Sequence, residues 1–467
     1  MPSSVIRVAL MHGGQVRVTV GDAFPGYASR VGDVSDWDDL VQPDRVHRSV
    51  YTDPRIFELE MDRIFGRAWI LVGHDSQIPA PGDYVTAIIG RQPVIMARHR
   101  DGAVHVLFNR CAHKGAELEV ERSGHVESFR CPYHGWRFAT DGAVLTIPLE
   151  RGYEGSGFGR CDPLANMQHV PRADSYRGFV FASLSPTGPG LVEWLGGVAS
   201  SIDNMVDRSP EGALEATGGV LRYEHNCNWK FFVENLNDMM HPMVAHLSSS
   251  QTARGVARRE LGEAAAPAAI EILAPFTNQY AFFDAMGLRA FDHGHGYSGG
   301  TISIHSAYSD IPEYQSLMET AYGAERTRAI LAVERHNTVI YPSATIKGKI
   351  QTMRVVRPVA VDRTIIESYV FRLKGAPEAL LHRSILYSNL INSSANLVGP
   401  DDHAIYKRLQ RGLATSGSDW VSLHRNADAD APEPDGGWSS GGTSDMAFRR
   451  QFAAWKQMMA GATQAAA

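Results

Sequence analysis

The chain of 467 residues is 44% hydrophobic and 21% charged, an ordinary balance for a globular protein with room for two or three domains. A formal net charge of −6 gives no footing for nucleic-acid or membrane-surface binding. No apolar run reaches the length of a membrane span, and the N-terminus lacks a charged-then-apolar signal pattern, so the expected compartment is the cytoplasm. Four cysteines in so long a chain argue against a disulfide framework, and Cys161 and Cys227 read as buried reduced thiols.

Residues Met1 to about Val41 read as a loosely specified leader, with short strands predicted at Val5–Val8 and Val16–Val20. A helix then starts with Asp53 as its cap and Pro54 in its first turn, and Ile56, Leu59, Ile64 and Phe65 supply its apolar residues. From Gly82 the period becomes that of strands: Val85–Ile89, Pro93–Arg98 after a short turn, and Ala103–Asn109 after the Asp101-Gly102 turn. Arg137–Thr140 and Ala143–Ile147 form a second hairpin, and Gly178–Leu184 a further strand. The Pro/Gly cluster Ser185–Gly190 marks a domain boundary, which divides the chain into 1–45, 46–188 and 189–467. Beyond it, helical stretches are predicted near Leu191–Val206, Trp229–Leu247, Asp402–Leu413 and the C-terminus. In the last, Phe448, Phe452, Trp455 and Met459 share one helical face. Strands are predicted at Leu221–Glu224, Thr301–His305, Thr338–Tyr341, Ile350–Pro358 and Ile365–Leu373, and a loop at Asn426–Thr443.

The stretch Phe108–Phe138 holds Cys111-x-His113, seventeen further residues, and Cys131-x-x-His134. Two thiolates and two imidazoles can hold zinc, or a [2Fe–2S] cluster in which two histidines replace two cysteines on one iron. Zinc fingers put their histidines together on a helix, whereas here each loop gives one Cys and one His, followed by Gly115 or Gly135. These tight loops suit a cluster, with backbone N–H groups turned toward its sulfides.

A second group lies in Asn228–His246. On a regular helix His241 and His246 would stand about 140° apart, so convergence on one ion requires the helix to end or widen between them. Pro242 removes the backbone donor that would keep it regular. Two histidines and a distant carboxylate make the facial triad that holds non-haem Fe(II) with open positions.

Cys111-Ala-His113-Lys114-Gly115 and Cys131-Pro-Tyr-His134-Gly-Trp136 resemble the two halves of a Rieske motif, with Lys114 where that family usually has Arg. Asn235, Asp238, His241 and His246 are similar to the catalytic-iron motif of the Rieske non-haem iron oxygenases, and Met240 stands where Tyr is frequent. The stretch Pro400–Leu413, ending in Gln410-Arg-Gly-Leu413, resembles the segment that supplies the third ligand. Its spacing favours Asp402 over Asp401, leaving the other as a helix cap. Over Val46–Ala460 the chain thus resembles the large (alpha) subunit of aromatic-ring-hydroxylating oxygenases.

That resemblance implies an α+β protein: an all-β Rieske [2Fe–2S] domain, and a catalytic domain whose curved antiparallel sheet grips a long helix over a mononuclear Fe(II). It implies Cys111, His113, Cys131 and His134 as cluster ligands and His241, His246 and Asp402 as iron ligands. Asn235 and Asp238 are implied at the catalytic site, Asp238 bridging His241 to His134 of a neighbouring copy. The implied partners are O2, an aromatic substrate, an NAD(P)H-linked reductase and a ferredoxin, in a homotrimer or an α3β3 assembly with a small beta subunit. Leu236, Asn237, Met240, Met243 and Tyr341, with Ile340 and Met353, are candidate pocket residues, and Arg335, Lys347, Lys349, Arg354 and Arg357 candidates for a substrate carboxylate. Rival expectations are a Rieske monooxygenase or demethylase acting on a quaternary amine or methyl ether, and a pure electron carrier.

Overall fold

The computed structural model describes residues 7–10, 16–19, 37–217, 219–262, 268–305, 311–394 and 396–461. Near the N-terminus, Arg7–Leu10 pairs antiparallel with Val16–Thr19 as a hairpin, and residues 5, 6 and 20 of the two expected strands lie outside the described residues.

From Trp37 onward the chain builds antiparallel sheets. The strand Gln92–Arg98 lies between Val104–Phe108 and Asp83–Ile89, and Ser123–His125 closes this four-stranded sheet. Phe129–Arg130, Arg137–Phe138 and Val144–Thr146 make a smaller sheet beside it. Between them sits a core of Ile95, Leu107, Phe129, Trp136 and Phe138, in which Cys111 and Cys131 are also buried. A third sheet joins Ile70–His74 to Phe179–Ser183 and Arg172–Tyr176. The two hairpins predicted here fold as such, their strands a residue or two shorter or longer than the pattern suggested.

The second half is organised on one ten-stranded antiparallel sheet. Its centre runs Arg363–Leu373, Thr352–Ala360, Ala344–Lys347, Glu334–Ile340, Gly296–Gly300. Two expectations fail here. Thr301–His305 is no strand: the ladder slips at Ser298/Gly299, where Gly299 has φ +81°, and the chain turns out of the sheet before Thr301. A Cβ at Gly299 would come within 2.6 Å of the Glu334 carbonyl oxygen, so only glycine fits that bulge. Within the expected loop Asn426–Thr443, Trp438–Ser440 pairs with Leu288–Ala290 and with Ala431–Pro432, extending the sheet edge.

Helices cover this sheet and set the site. Asp53 caps Pro54–Arg63, its Oδ1 accepting from the Arg55 N–H at 2.8 Å. Glu60 on that helix is fully buried and accepts from Trp229 Nε1 (2.8 Å), Trp455 Nε1 (2.7 Å) and Lys230 Nζ (2.5 Å). The C-terminal helix Met446–Met459 buries Phe448, Phe452, Trp455 and Met459 as its spacing requires. Of the two remaining cysteines Cys227 is buried and Cys161 is exposed, so the expectation of burial fails for Cys161. Among the described residues no helix is long and apolar enough to cross a membrane.

Candidate functional site

The two Cys/His loops are built alike. The Cys111 N–H donates to the Ala116 carbonyl (2.8 Å) and the Gly115 N–H back to Cys111 (3.0 Å). Twenty residues on, Cys131 donates to Trp136 (2.8 Å) and Gly135 to Cys131 (3.1 Å). Gly115 and Gly135 take φ +75° and +74°, the left-handed turn that lets each loop close behind its histidine. The loops bring the His113 and His134 rings to 4.7 Å between centroids, with His113 stacked on Trp136 at 5.0 Å. His113 Nε2 is taken by the Tyr153 hydroxyl at 3.3 Å, while its Nδ1 is buried and has no partner. The backbone N–H groups of His113 and Lys114 point at Cys111 Sγ. Two adjacent buried thiols, an orphaned imidazole nitrogen and amides aimed at sulfur fit a [2Fe–2S] cluster held by two Cys and two His. His134 and Tyr133 are exposed, so one edge of this site faces solvent.

The second site comes from a broken helix. Trp229–Asn235 is capped by Asn228, whose side chain accepts from Lys230 N–H. It ends at Asn235, and a one-turn helix Pro242–Ala245 follows, with His241 as its N-cap and His246 as its C-cap. The break therefore precedes Pro242: proline opens the new turn at its first position, and no widened turn is needed between the histidines. Asp238 Oδ1 accepts from the N–H groups of Met240 (2.7 Å) and His241 (3.2 Å), fixing the non-helical link. Asp238 and His241 are thus neighbours through a turn rather than along a helical face.

His241, His246 and Asp402 each offer one ligand atom, and these lie within 4.8 Å of one another. Asp402 Oδ1 stands 3.8 Å from His241 Nε2 and 3.5 Å from His246 Nε2. The other nitrogen of each ring faces a carboxylate of its own. His241 Nδ1 lies 3.8 Å from Asp238 Oδ2, and His246 Nδ1 lies 3.3 Å from Asp401 Oδ2, which Ser249 Oγ also contacts at 2.8 Å. The Asp401 hydrogen bond fixes which nitrogen of His246 points inward, whereas His241 Nδ1 is buried without a hydrogen-bond partner and Asp238 holds that residue by its backbone N–H. Asn235 Nδ2 reaches both His241 Nε2 and Asp402 Oδ1 at 3.2 Å. Burial lowers the pKa of His241 and so favours the neutral, metal-ligating imidazole, while Asp238 opposes that shift. Three convergent donors with an apolar group on one side fit a mononuclear iron.

Asp401 is not a helix cap. The helix runs Gly399–Leu413 with Val398 at its N-cap, and both aspartates lie inside the first turn. Successive residues on a helix point about 100° apart, which is how one reaches the ring centre and the other the far side of His246. Burial pushes the Asp401 carboxyl up, but hydrogen bonds from His246 and Ser249 hold it below its ordinary value. Gln410, quoted only as part of a motif, anchors this helix: its Oε1 accepts from Asn228 N–H at 2.8 Å and its Nε2 donates to the Tyr51 carbonyl. No sequence signal marked the Asp401–Ser249 contact, which joins residues 152 apart.

The candidate pocket residues divide. Met243 packs on an apolar group of Met239, Leu273, Phe276, Phe283, Met286, Ile304 and Val398, and the Phe276 ring meets His246 edge-on at 5.4 Å. Met240 is half-buried in the link between the helices. Leu236 is buried and its carbonyl accepts from Asn337 Nδ2 at 2.7 Å. Asn237 is buried with neither side-chain polar atom hydrogen-bonded. Tyr341 goes elsewhere: it packs on Trp229 at 5.7 Å and, with Lys230, Glu234 and Phe452, lines a small space. Its backbone N–H donates to His295 Nδ1 at 3.0 Å, just past the end of the strand. Ile340 and Met353 are buried in the sheet.

Both halves of the chain match known families. Residues 68–164 match the Rieske [2Fe-2S] domain, and residues 215–440 the catalytic domain of the ring-hydroxylating alpha subunit. The chain is 33% identical over 400 residues to the alpha subunit of toluate 1,2-dioxygenase from Pseudomonas putida, covering 82% of this chain and 84% of that protein. It is 42% identical over 205 residues, 44% of each chain, to the alpha subunit of N,N-dimethyl phenylurea N-demethylase from a Sphingobium strain. Its fold is that of naphthalene 1,2-dioxygenase with indole bound, with a TM-score of 0.76 at 24% identity over 92% of this chain and 95% of that one. The chain belongs to the family of Rieske ring-hydroxylating oxygenase alpha subunits. It is an oxidoreductase whose cofactors are a Rieske [2Fe–2S] cluster and a mononuclear iron.

Proposed function

We propose that this chain is the terminal oxygenase component that dihydroxylates an aromatic ring with O2, drawing electrons from NAD(P)H through a separate reductase, with or without a ferredoxin. The observation that carries this reading is the pair of metal sites in one chain: a Cys2His2 pair of loops with one exposed edge, and a His2Asp triad beside an apolar group. When bound, the cluster supplies single electrons and the mononuclear iron activates O2.

The residues divide the remaining work. Cys111, His113, Cys131 and His134 hold the cluster; His241, His246 and Asp402 hold the iron. Asn235 spans a histidine and the carboxylate and keeps their spacing. Asp401 orients His246, and Asp238 orients His241. Asp238 is also the candidate bridge to His134 of a second copy, because its outer edge is part-exposed, as is His134. That bridge calls for a ring of copies, in the homotrimer or α3β3 form. Met243, Phe276 and their neighbours offer an apolar wall to a flat ring and keep water from it. In this reading residues 46–188 form the Rieske domain with its preceding helix, residues 189–467 the catalytic domain, and the cytoplasm is the working compartment.

N-demethylation is the second reading, favoured by the 42% identity over 205 residues to a demethylase subunit. Turnover of a panel of arenes and N-methyl compounds under labelled O2 separates the two. A cis-diol carrying two labelled oxygens supports the first reading; formaldehyde released together with the demethylated amine, and no diol, supports the second and overturns the first.

A further inference from the structure

We propose that the aromatic substrate carries a carboxylate, and that Lys347, flanked by His336 and Arg354, is the residue that receives it. This rests on the oxygenase reading above and narrows its substrate class.

Lys347 ends the strand Ala344–Lys347 and is 5% exposed. Its Nζ has His336 Nε2 at 3.3 Å, His336 Nδ1 at 3.5 Å, the His336 carbonyl at 3.4 Å and the face of Tyr387 at 5.8 Å. Among the described residues no carboxylate oxygen lies within 4.0 Å of it. Other buried or nearly buried lysines of this chain are matched. Lys230 meets Glu60 and Lys349 meets Glu334, each at 2.5 Å. Arg357 is likewise matched, by Glu367 at 3.4 Å, and Arg335 is spent on Ser200 and Ser201. Among the described residues Lys347 and Arg354, like Arg335, meet only uncharged partners, His336 and Asn337 respectively. Burial, and then Arg354, push the Lys347 pKa well below its ordinary range, so that with no carboxylate beside it the neutral amine is favoured and an anion there would restore the ammonium. An unmatched buried cation is costly, and one that a ligand neutralises is the usual form of an anion pocket.

The cations stand next to the triad. Arg354 Nη2 donates to Asn337 Oδ1 at 3.2 Å, and Asn337 Nδ2 to the Leu236 carbonyl at 2.7 Å. Leu236 follows Asn235, whose amide contacts His241 and Asp402. One peptide bond and two hydrogen bonds therefore connect Arg354 to Asn235, which contacts the triad. Apolar residues continue in the same direction. Ile391 packs on the group around Phe276 and Val398 and also on Ile350 and Tyr387, the ring under Lys347. A flat molecule with an apolar body and one negative end matches this run: the ring beside His246 and Phe276, the anion at Lys347. A singly charged carboxylate suits one lysine in apolar surroundings, whereas a phosphate dianion would ask for more donors than these.

The test is binding to the anaerobic holoenzyme of benzoate and of benzamide, its uncharged near-isostere, followed by calorimetry in the natural chain and in Lys347→Met. Benzoate should bind the natural enzyme roughly 30-fold or more tightly than benzamide, the size of effect that truncating a buried charge pair produces. Lys347→Met should erase that preference, weakening benzoate by about the same factor while leaving benzamide nearly unchanged. Benzoate binding no tighter than benzamide overturns the proposal without any variant having to fold, and so does an undiminished preference in Lys347→Met. A benzoate preference without oxygenated product from any arene would sink the oxygenase reading and leave the anion site standing. Product from a neutral arene without that preference would do the reverse.

Discussion

Each imidazole of the His2Asp triad sits between two carboxylates, one shared and one its own, and the roles of Asp401 and Asp402 follow from that geometry. Asp402→Ala should remove one iron per chain while the cluster's visible spectrum stays unchanged. Asp401→Ala should keep iron but bind it about 10- to 100-fold more weakly, the usual cost of losing an outer partner. Chelator titration of the two variants checks this, and their behaving in the opposite sense would exchange the roles. Asp238→Ala should keep the cluster's colour and lose product formation; normal turnover would end its role as a bridge. Glu234 makes a pH prediction. Burial raises its pKa from 4.5 to about 8, against the Tyr51 and Lys230 side chains. Between those values the unfolded chain has lost the proton and the folded chain keeps it, so stability falls as pH rises through this window. Thermal unfolding of Glu234→Gln should show a flatter pH profile than the natural chain, crossing above it toward pH 8 and beyond; parallel profiles would mean that Glu234 stays ionised.

At the scale of elements, what was legible in the sequence was local. Asp53-Pro54, the Asp101-Gly102 turn and the spacing of Phe448, Phe452 and Trp455 at i, i+4 and i+7 each depend on neighbours within a turn or two, and the structure follows them. The Cys/His loops were legible because all four side chains and both glycines fall within the short stretch Cys111–Gly135. The break at Asn235–Pro242 was placed a few residues late. Proline was read as what disrupts a helix, whereas here it starts one, and the link before it is fixed by Asp238. Contacts between distant segments were not legible: Asp401 with Ser249, Gln410 with Asn228, and Glu60 with Lys230 and both tryptophans. The last is a buried ion pair that ties the helix Pro54–Arg63 to the helix bearing Asn235. Removing one partner strands the other's charge, so Glu60→Ala should cost about 3–5 kcal/mol of unfolding free energy, read by denaturant titration. A loss within experimental error would mean that Lys230 reaches solvent or sheds its proton without cost.

For the whole molecule, the proposed function divides one reaction between a surface-edged group of loops and a buried triad. The sheet's share is to present Asn337, Lys347 and Arg354 on the side where the broken helix presents Asn235. In that reading, electrons stored at the first are spent on oxygenation at the second. The direct measurement is a single turnover: the holoenzyme is reduced chemically, freed of reductant and mixed with labelled O2 and benzoate, while the reduced-cluster signal and the product are followed together. Loss of that signal in step with a product bearing labelled oxygen is the predicted result. A cluster that reoxidises with no labelled product, or product that forms while the cluster stays reduced, would contradict the account.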